Sequence, residues 1–378
     1  MRSKLPDIPT SIFAKMSQLA AEQNAINLSQ GFPDFPSSPE LINLVTKAMK
    51  EGYNQYAPMP GLIELREAIS QKIELLHQYY YHPDSEITVT CGATQAIYTI
   101  LSSFIFSGDE VIVFAPAYDS YAPTILAQGG IVREIALKAP DYSIPWEEVQ
   151  AVKNNKTKMI IINSPHNPTG TILSLGDMKK LEGFVEGTNI LILSDEVYEH
   201  IIFDNEIHHS VSRFPSLASR SFVVGSFGKT FHNTGWKMGY CASPERLMHE
   251  FRKIHQFVVF SVNHPIQKAL AEFLKKESNY LSVPQFYQQK RDTFLSLIKD
   301  SRFTFTPSKG TYFQLLNYAE LTDLNDEKYA EHLTVDHKIA SIPISVFYKP
   351  KKDLKLLRFC FAKKNDTLEK AADILRKL

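Results

Sequence analysis

Short apolar or β-branched runs recur through the middle of the chain, at Ile87–Thr90, Val111–Phe114, Met159–Ile162, Ile190–Leu193 and Phe222–Val224. Stretches of helical length separate several of them, among them Thr94–Phe106 and Leu175–Val185. Uniformly apolar strands alternating with helices predict an α/β fold, with a mainly parallel sheet covered by helices on both faces. The run Met238-Gly239-Tyr240-Cys241 follows its predecessor too closely for a crossover helix, so it is expected to run antiparallel.

The pattern changes towards both ends. A helical arm is expected over Thr10–Glu22, followed by the irregular Gly31-Phe32-Pro33-Asp34-Phe35-Pro36. A helical region from Pro284 to Ile298 leads into short strands at Thr311–Leu315 and Leu354–Phe361, and a helix over Thr367–Leu378 closes the chain. The expected organisation is an N-terminal arm with part of a small domain (1–45), a large domain (46–280), and the rest of the small α/β domain (281–378). The prolines at Ala115-Pro116 and Asn167-Pro168 stand at turns after strands and are expected to be cis.

Composition narrows the function only by exclusion. A chain of 378 residues that is 44% hydrophobic and 22% charged can bury sizeable cores. Its 41 basic and 41 acidic residues cancel, which speaks against a nucleic acid or an anionic membrane as partner. Cys91, Cys241 and Cys360 are too far apart for a disulfide framework or metal-type spacing. No run is apolar enough to span a bilayer, and the start, with Pro6 and Pro9, has no signal-like stretch. A soluble, reduced, cytoplasmic protein is expected.

The chemistry lies in the polar residues that follow the strands. Gly92-Ala93-Thr94 follow the first run, Tyr118 the second, Asn167 the third, Asp195 and Tyr198 the fourth, and Ser226 and Lys229 the fifth. A parallel sheet delivers such groups to one rim, the carboxyl edge, where open α/β sheets bind ligands. Gly228-Lys229-Thr230 resembles the end of a phosphate loop, but that motif requires glycine where Val223 stands. A buried lysine lowers its pKa readily and forms Schiff bases. The set suits the parts of pyridoxal phosphate (PLP). The free amides of Ala93 and Thr94, with Thr94, Ser226 and Lys237, suit the phosphate. Asp195 suits the pyridine nitrogen, Asn167 and Tyr198 the phenolate oxygen, and Tyr118 the ring face. Lys229 would form the aldimine and later move the proton.

Arg358 lies in an apparently buried strand and needs an anion, either a structural carboxylate on a neighbouring helix or the α-carboxylate of a substrate. His208-His209 read as part of a polar loop with no acid or cysteine at ligand spacing, so no metal site is expected.

Asn27-Leu28-Ser29-Gln30-Gly31, Tyr56-Ala57-Pro58, Asn167-Pro168-Thr169-Gly170, Ser194-Asp195-Glu196-Val197-Tyr198, Ser226-Phe227-Gly228-Lys229-Thr230 and Arg358-Phe359 together resemble the class I/II aminotransferases of PLP fold type I, nearly end to end. The resemblance implies a large domain with a mostly parallel seven-stranded sheet and a smaller α/β domain from both chain ends. It also implies a homodimer in which Tyr56 reaches the phosphate of the neighbouring subunit, and a backbone contact from Gly31 to substrate. Lys237, where many members carry arginine, is similar to the kynurenine and glutamine transaminase branch. Tyr118-Asp119-Ser120-Tyr121-Ala122-Pro123 and the stretch from His255 to Asn263 resemble bacterial methionine aminotransferases.

That likeness implies transfer of an amino group to a 2-oxo acid from an uncharged donor. Methionine comes first, then aromatic amino acids, histidine, glutamine or kynurenine. The loop Phe257–Asn263 carries no basic residue, and Phe32, Tyr118, Tyr121 and Phe260 would give the pocket an apolar lining. A β-lyase acting on cysteine S-conjugates, or a main activity on kynurenine, are the alternatives.

Overall fold

The computed structural model describes residues 3–378. Twelve strands form three sheets. In chain order they are β1 (Ile26–Asn27), β2 (Ile87–Thr90), β3 (Glu110–Ala115), β4 (Ile131–Ala136), β5 (Thr157–Asn163), β6 (Leu191–Asp195), β7 (Ser221–Ser226), β8 (Gly239–Ala242), β9 (Phe313–Asn317), β10 (Ile339–Ala340), β11 (Ile342–Pro343) and β12 (Leu356–Cys360).

The seven-stranded sheet has the order β2-β8-β7-β6-β5-β3-β4. Its neighbours are parallel from β4 through to β7, whereas β8 runs antiparallel to both β7 and β2. Two reversals cancel, so β2 points the same way as β3, β5, β6 and β7. All five therefore end on one rim. The β7–β8 link holds only two short helical turns, Phe227–Thr230 and Thr234–Trp236, which confirms that it is too short for a crossover. Strands β2, β3 and β6 are buried at every position, because helices pack on both faces.

The helix Leu175–Val185 has the expected bounds and starts on a capping box between Ser174 and Asp177. The helix expected over Thr94–Phe106 spans Ala93–Phe104 and stops where Ile105 turns extended. Two strands begin later than the apolar pattern suggests, for a backbone reason. Thr311 (φ 63°) precedes β9 and Lys355 (φ 57°) precedes β12, and a left-handed residue cannot continue a strand. The two chain ends meet where β1 pairs in parallel with β10, while β11, β12 and β9 form an antiparallel sheet. Both Ala115-Pro116 and Asn167-Pro168 are cis. Among the described residues, no helix is long and apolar enough to cross a membrane.

Candidate active site

Most of the residues singled out at the carboxyl rim converge on a cavity of about 150 Å³. Ala93, Thr94, Tyr118, Asn167, Asp195, Tyr198, Ser226, Lys229 and Lys237 all line it. At one end the helix Ala93–Phe104 begins on Gly92, whose φ of 75° suits a residue without Cβ. A Cβ built there would stand 3.5 Å from Lys237 Nζ, so the lysine charge sits beside the free amides at the helix start. Amides, ammonium and the Thr94 hydroxyl together form a cradle for an anion. The Tyr118 hydroxyl lies 3.4 Å from Thr94 Oγ1.

Asp195 ends β6 and is buried. Burial lifts its carboxyl from the ordinary 3.8 to about 6, against the pull of its hydrogen bonds. The strongest of these comes from Tyr121, whose hydroxyl donates to Asp195 Oδ2 at 2.6 Å. Among the described residues Asp195 has no ion-pair partner, so the cavity offers a desolvated carboxylate in want of a cation. Lys229 faces the same space, with its Nζ donating to the Gly31 carbonyl at 3.3 Å. Burial, reinforced by the charges of Arg358 and Lys237, lowers the Lys229 ammonium to about 8. A free amine is thus accessible near neutral pH.

Arg358, on β12, is almost completely buried. Its guanidinium donates to Asn167 Oδ1 at 2.7 Å and to the Ser29 carbonyl at 2.9 Å, and lies 3.8 Å from the centre of the Phe313 ring. Burial lowers it to about 10, still cationic at neutral pH. No carboxylate of the described residues pairs with it, so the structural-carboxylate alternative is not what the chain builds. The positive charge, held by neutral groups beside the cavity, remains free for an incoming anion.

The family model for aminotransferase class I and II matches residues 23–375. The chain belongs to the class I and II aminotransferases. It is 47% identical to the methionine aminotransferase of Escherichia coli (strain K12) over 378 residues, which is all of this chain and 98% of that protein. A solved Escherichia coli structure identified as a methionine aminotransferase superposes with a TM-score of 0.98 at 47% identity, covering 100% of this chain and 99% of that one. The kynurenine–oxoglutarate transaminase of Dictyostelium discoideum is 34% identical over 97% of this chain and 94% of that protein. The chain is accordingly a PLP-dependent transferase of fold type I, with the large, mostly parallel seven-stranded sheet of that fold.

The cavity of this aminotransferase fits PLP on its own chemistry. The unpaired Asp195 suits a protonated ring nitrogen, the Gly92-Ala93-Thr94 turn with Lys237 suits a phosphate, and Lys229 supplies the amine. One expected residue takes a different role, and two further groups, Tyr312 and Asn163, escaped the sequence reading. Tyr121, expected to add aromatic surface for substrate, is buried and spends its hydroxyl on Asp195. Tyr312 donates to the Gly31 carbonyl at 2.5 Å. Asn163 accepts from the Asn167 amide and donates to the Asp195 carbonyl, both at 2.8 Å.

Tyr56, Phe32 and Phe260 do not line the cavity of their own chain. Tyr56 is 78% exposed and packs edge-on against Phe260 at 5.0 Å. Lys363 holds Phe32, donating to its carbonyl at 2.9 Å with the ammonium over its ring at 4.6 Å. His208 is buried, not part of a solvated loop, and meets Glu196 at 2.7 Å.

Proposed function

We propose that this aminotransferase moves the amino group of an uncharged amino acid to a 2-oxo acid, with methionine the preferred donor. Aromatic amino acids, histidine, glutamine and kynurenine follow. The observation that carries this reading is the charge content of the site. Its cationic side chains are Lys229 and Lys237, with Arg358 alongside, and each has a task. Lys237 serves the cofactor phosphate, Lys229 the amine chemistry and Arg358 the α-carboxylate, which leaves no cation for a second carboxylate. A buried methylene contributes roughly 0.8 kcal/mol, whereas a carboxylate entering the same space would lose hydration without gaining a partner. The whole-length identity to a methionine aminotransferase supports the same choice.

When bound, PLP supplies an aldehyde that takes up the amino group and a ring that accepts the electron pair released at the substrate α-carbon. Lys229 would hold the cofactor through its Nζ and, as a free amine, would carry the proton from the substrate α-carbon. Asp195 would keep the ring nitrogen protonated, and Tyr121 and Asn163 orient Asp195. Asn167 gives its amide oxygen to Arg358, which leaves its amide nitrogen for the phenolate oxygen beside the Tyr198 hydroxyl. Tyr118 would cover the ring face, and the Thr94 and Ser226 hydroxyls would complete the phosphate contacts. Gly31, Phe32 and Phe260 would border the substrate, Phe260 reaching it across a dimer, as Tyr56 would reach the phosphate of the neighbouring subunit. Turnover of a panel of donors with several 2-oxo acids tests this reading. The kcat/KM for methionine should exceed those for aspartate and glutamate by at least about tenfold, or about 1.4 kcal/mol. Aspartate equal to or better than methionine would overturn it.

A further inference from the structure

A second buried polar cluster takes no part in the chemistry above. His77, Glu196 and His208 each direct a ligand-type atom to one place, and these atoms lie within 4.8 Å of one another. The side chains are 7%, 2% and 6% exposed, respectively. His77 ends the helix Ile63–His77, Glu196 follows β6 directly, and His208 lies in the connection from β6 to β7.

The hydrogen bonds of the cluster are lopsided. Glu196 Oε1 accepts from Ser194 Oγ at 2.7 Å, Ser210 Oγ at 3.1 Å and the Val211 amide at 3.2 Å, which fixes the carboxylate plane. Its Oε2 has only His208 Nε2, at 2.7 Å. Among the described residues, neither ring nitrogen of His77 has a hydrogen-bond partner, nor has His208 Nδ1. The nearest further group is Glu199, whose Oε2 lies 3.8 Å from His77 Nε2, while Lys72 and Tyr240 bond to the other oxygen of Glu199. The hydrogen bond between Glu196 and His208 accounts for those two atoms, but the His77 imidazole is left buried with both nitrogens idle among the described residues. Buried polar groups without partners are costly and call for a ligand.

We propose that His77, Glu196 and His208 bind a divalent transition cation, zinc foremost, as a structural site, with a water completing the tetrahedron. Two imidazoles and a carboxylate form a donor set that zinc takes readily. Zinc bonds of about 2.0–2.2 Å in a tetrahedron place ligand atoms about 3.3 Å apart, so the Glu196–His208 pair opens slightly and His77 swings in. The three hydrogen bonds to Glu196 Oε1 serve as the outer shell that orients the ligating oxygen. The cation would join a helix end, the end of β6 and a loop immediately behind Asp195.

Holoenzyme stripped with a chelator and dialysed against zinc chloride should hold about one zinc per chain by elemental analysis, with a raised melting temperature. Cobalt in its place should show the visible absorption of a four-coordinate ion. His77→Leu removes no hydrogen bond and should fold, keep its PLP and its transamination rate, and lose the zinc and the thermal shift. His208→Gln should weaken zinc binding by at least about tenfold. Folded wild type that retains no zinc, or equal zinc uptake by His77→Leu, would overturn the site.

Discussion

At the scale of the residue, two side chains define the chemistry, and both are held away from their ordinary protonation. Lys229 was legible because a lysine after a buried strand has few structural uses, and Asp195 because it follows the neighbouring strand. Loss of the amine in Lys229→Ala should lower turnover by roughly 10³-fold or more, since nucleophile and proton carrier disappear together. PLP should still bind through Lys237 and the Ala93 and Thr94 amides, as measured by cofactor retention on gel filtration. Asp195 gives a pH-dependent prediction for the cofactor-free protein. Its carboxyl is raised from 3.8 to about 6 by burial, so between those values the folded chain keeps a proton that the unfolded chain has lost. Stability therefore falls as pH rises through that window, by an amount on the order of 3 kcal/mol. Melting curves of cofactor-free wild type and Asp195→Asn from pH 4 to 7 should diverge by this term, and PLP should remove it by supplying a cation. Equal pH slopes for the two proteins would count against the assignment. Tyr312 was not legible as a site residue, and Tyr121 was read as pocket lining and not as a partner of Asp195, because the groups they bond, Gly31 and Asp195, are 281 and 74 residues away.

At the scale of the element, the buried strands were readable, the covered edge strand β2 included, and the exposed edge strand β4 was not. β2, β3, β5, β6 and β7 are covered on both faces and carry continuous apolar runs. β4 has a neighbour on one side only and reads Ile131-Val132-Arg133-Glu134-Ile135-Ala136, mostly open to solvent, so its charged centre hides it from an apolar search. Register is a further property that the pattern leaves open, and it positions the anion cradle. Gly239 opens β8 opposite Ser226, and a Cβ there would come within 2.7 Å of the Gly225 carbonyl oxygen and 3.0 Å of the Ala93 amide nitrogen. Both are backbone atoms, which cannot rotate away. Gly239→Ala should therefore push the start of the helix Ala93–Phe104 out of line and weaken PLP binding by about tenfold or more, with a smaller loss of secondary structure. Equilibrium dialysis against PLP, with circular dichroism as control, checks this. Unchanged affinity would mean that the helix start is not the phosphate site.

At the scale of the whole molecule, the informative surface is apolar and lies outside the chain's own cavity. Tyr56 (78% exposed), Phe257 (85%) and Phe260 (59%) belong to two segments joined by the Tyr56–Phe260 contact and by Ser261 Oγ, which donates to the Ala57 carbonyl. Exposed aromatic clusters of this kind mark interaction surfaces. The proposed role of Tyr56 at the partner's phosphate makes the dimer part of the catalytic unit. In a two-fold dimer, a chain carrying Lys229→Ala still offers its Tyr56 to the other subunit. A chain carrying Tyr56→Ala still has its own Lys229. Each variant alone should be poorly active. A hybrid of the two has one site with both residues intact and one site with neither. If co-expressed chains pair at random, half the dimers are hybrids with one working site each, so the mixture should recover about a quarter of wild-type activity. The steady-state rate of the co-purified mixture, against each homodimer, measures this. Recovery absent from a mixture shown by native mass spectrometry to contain hybrids would place Tyr56 in its own chain's site, or in none.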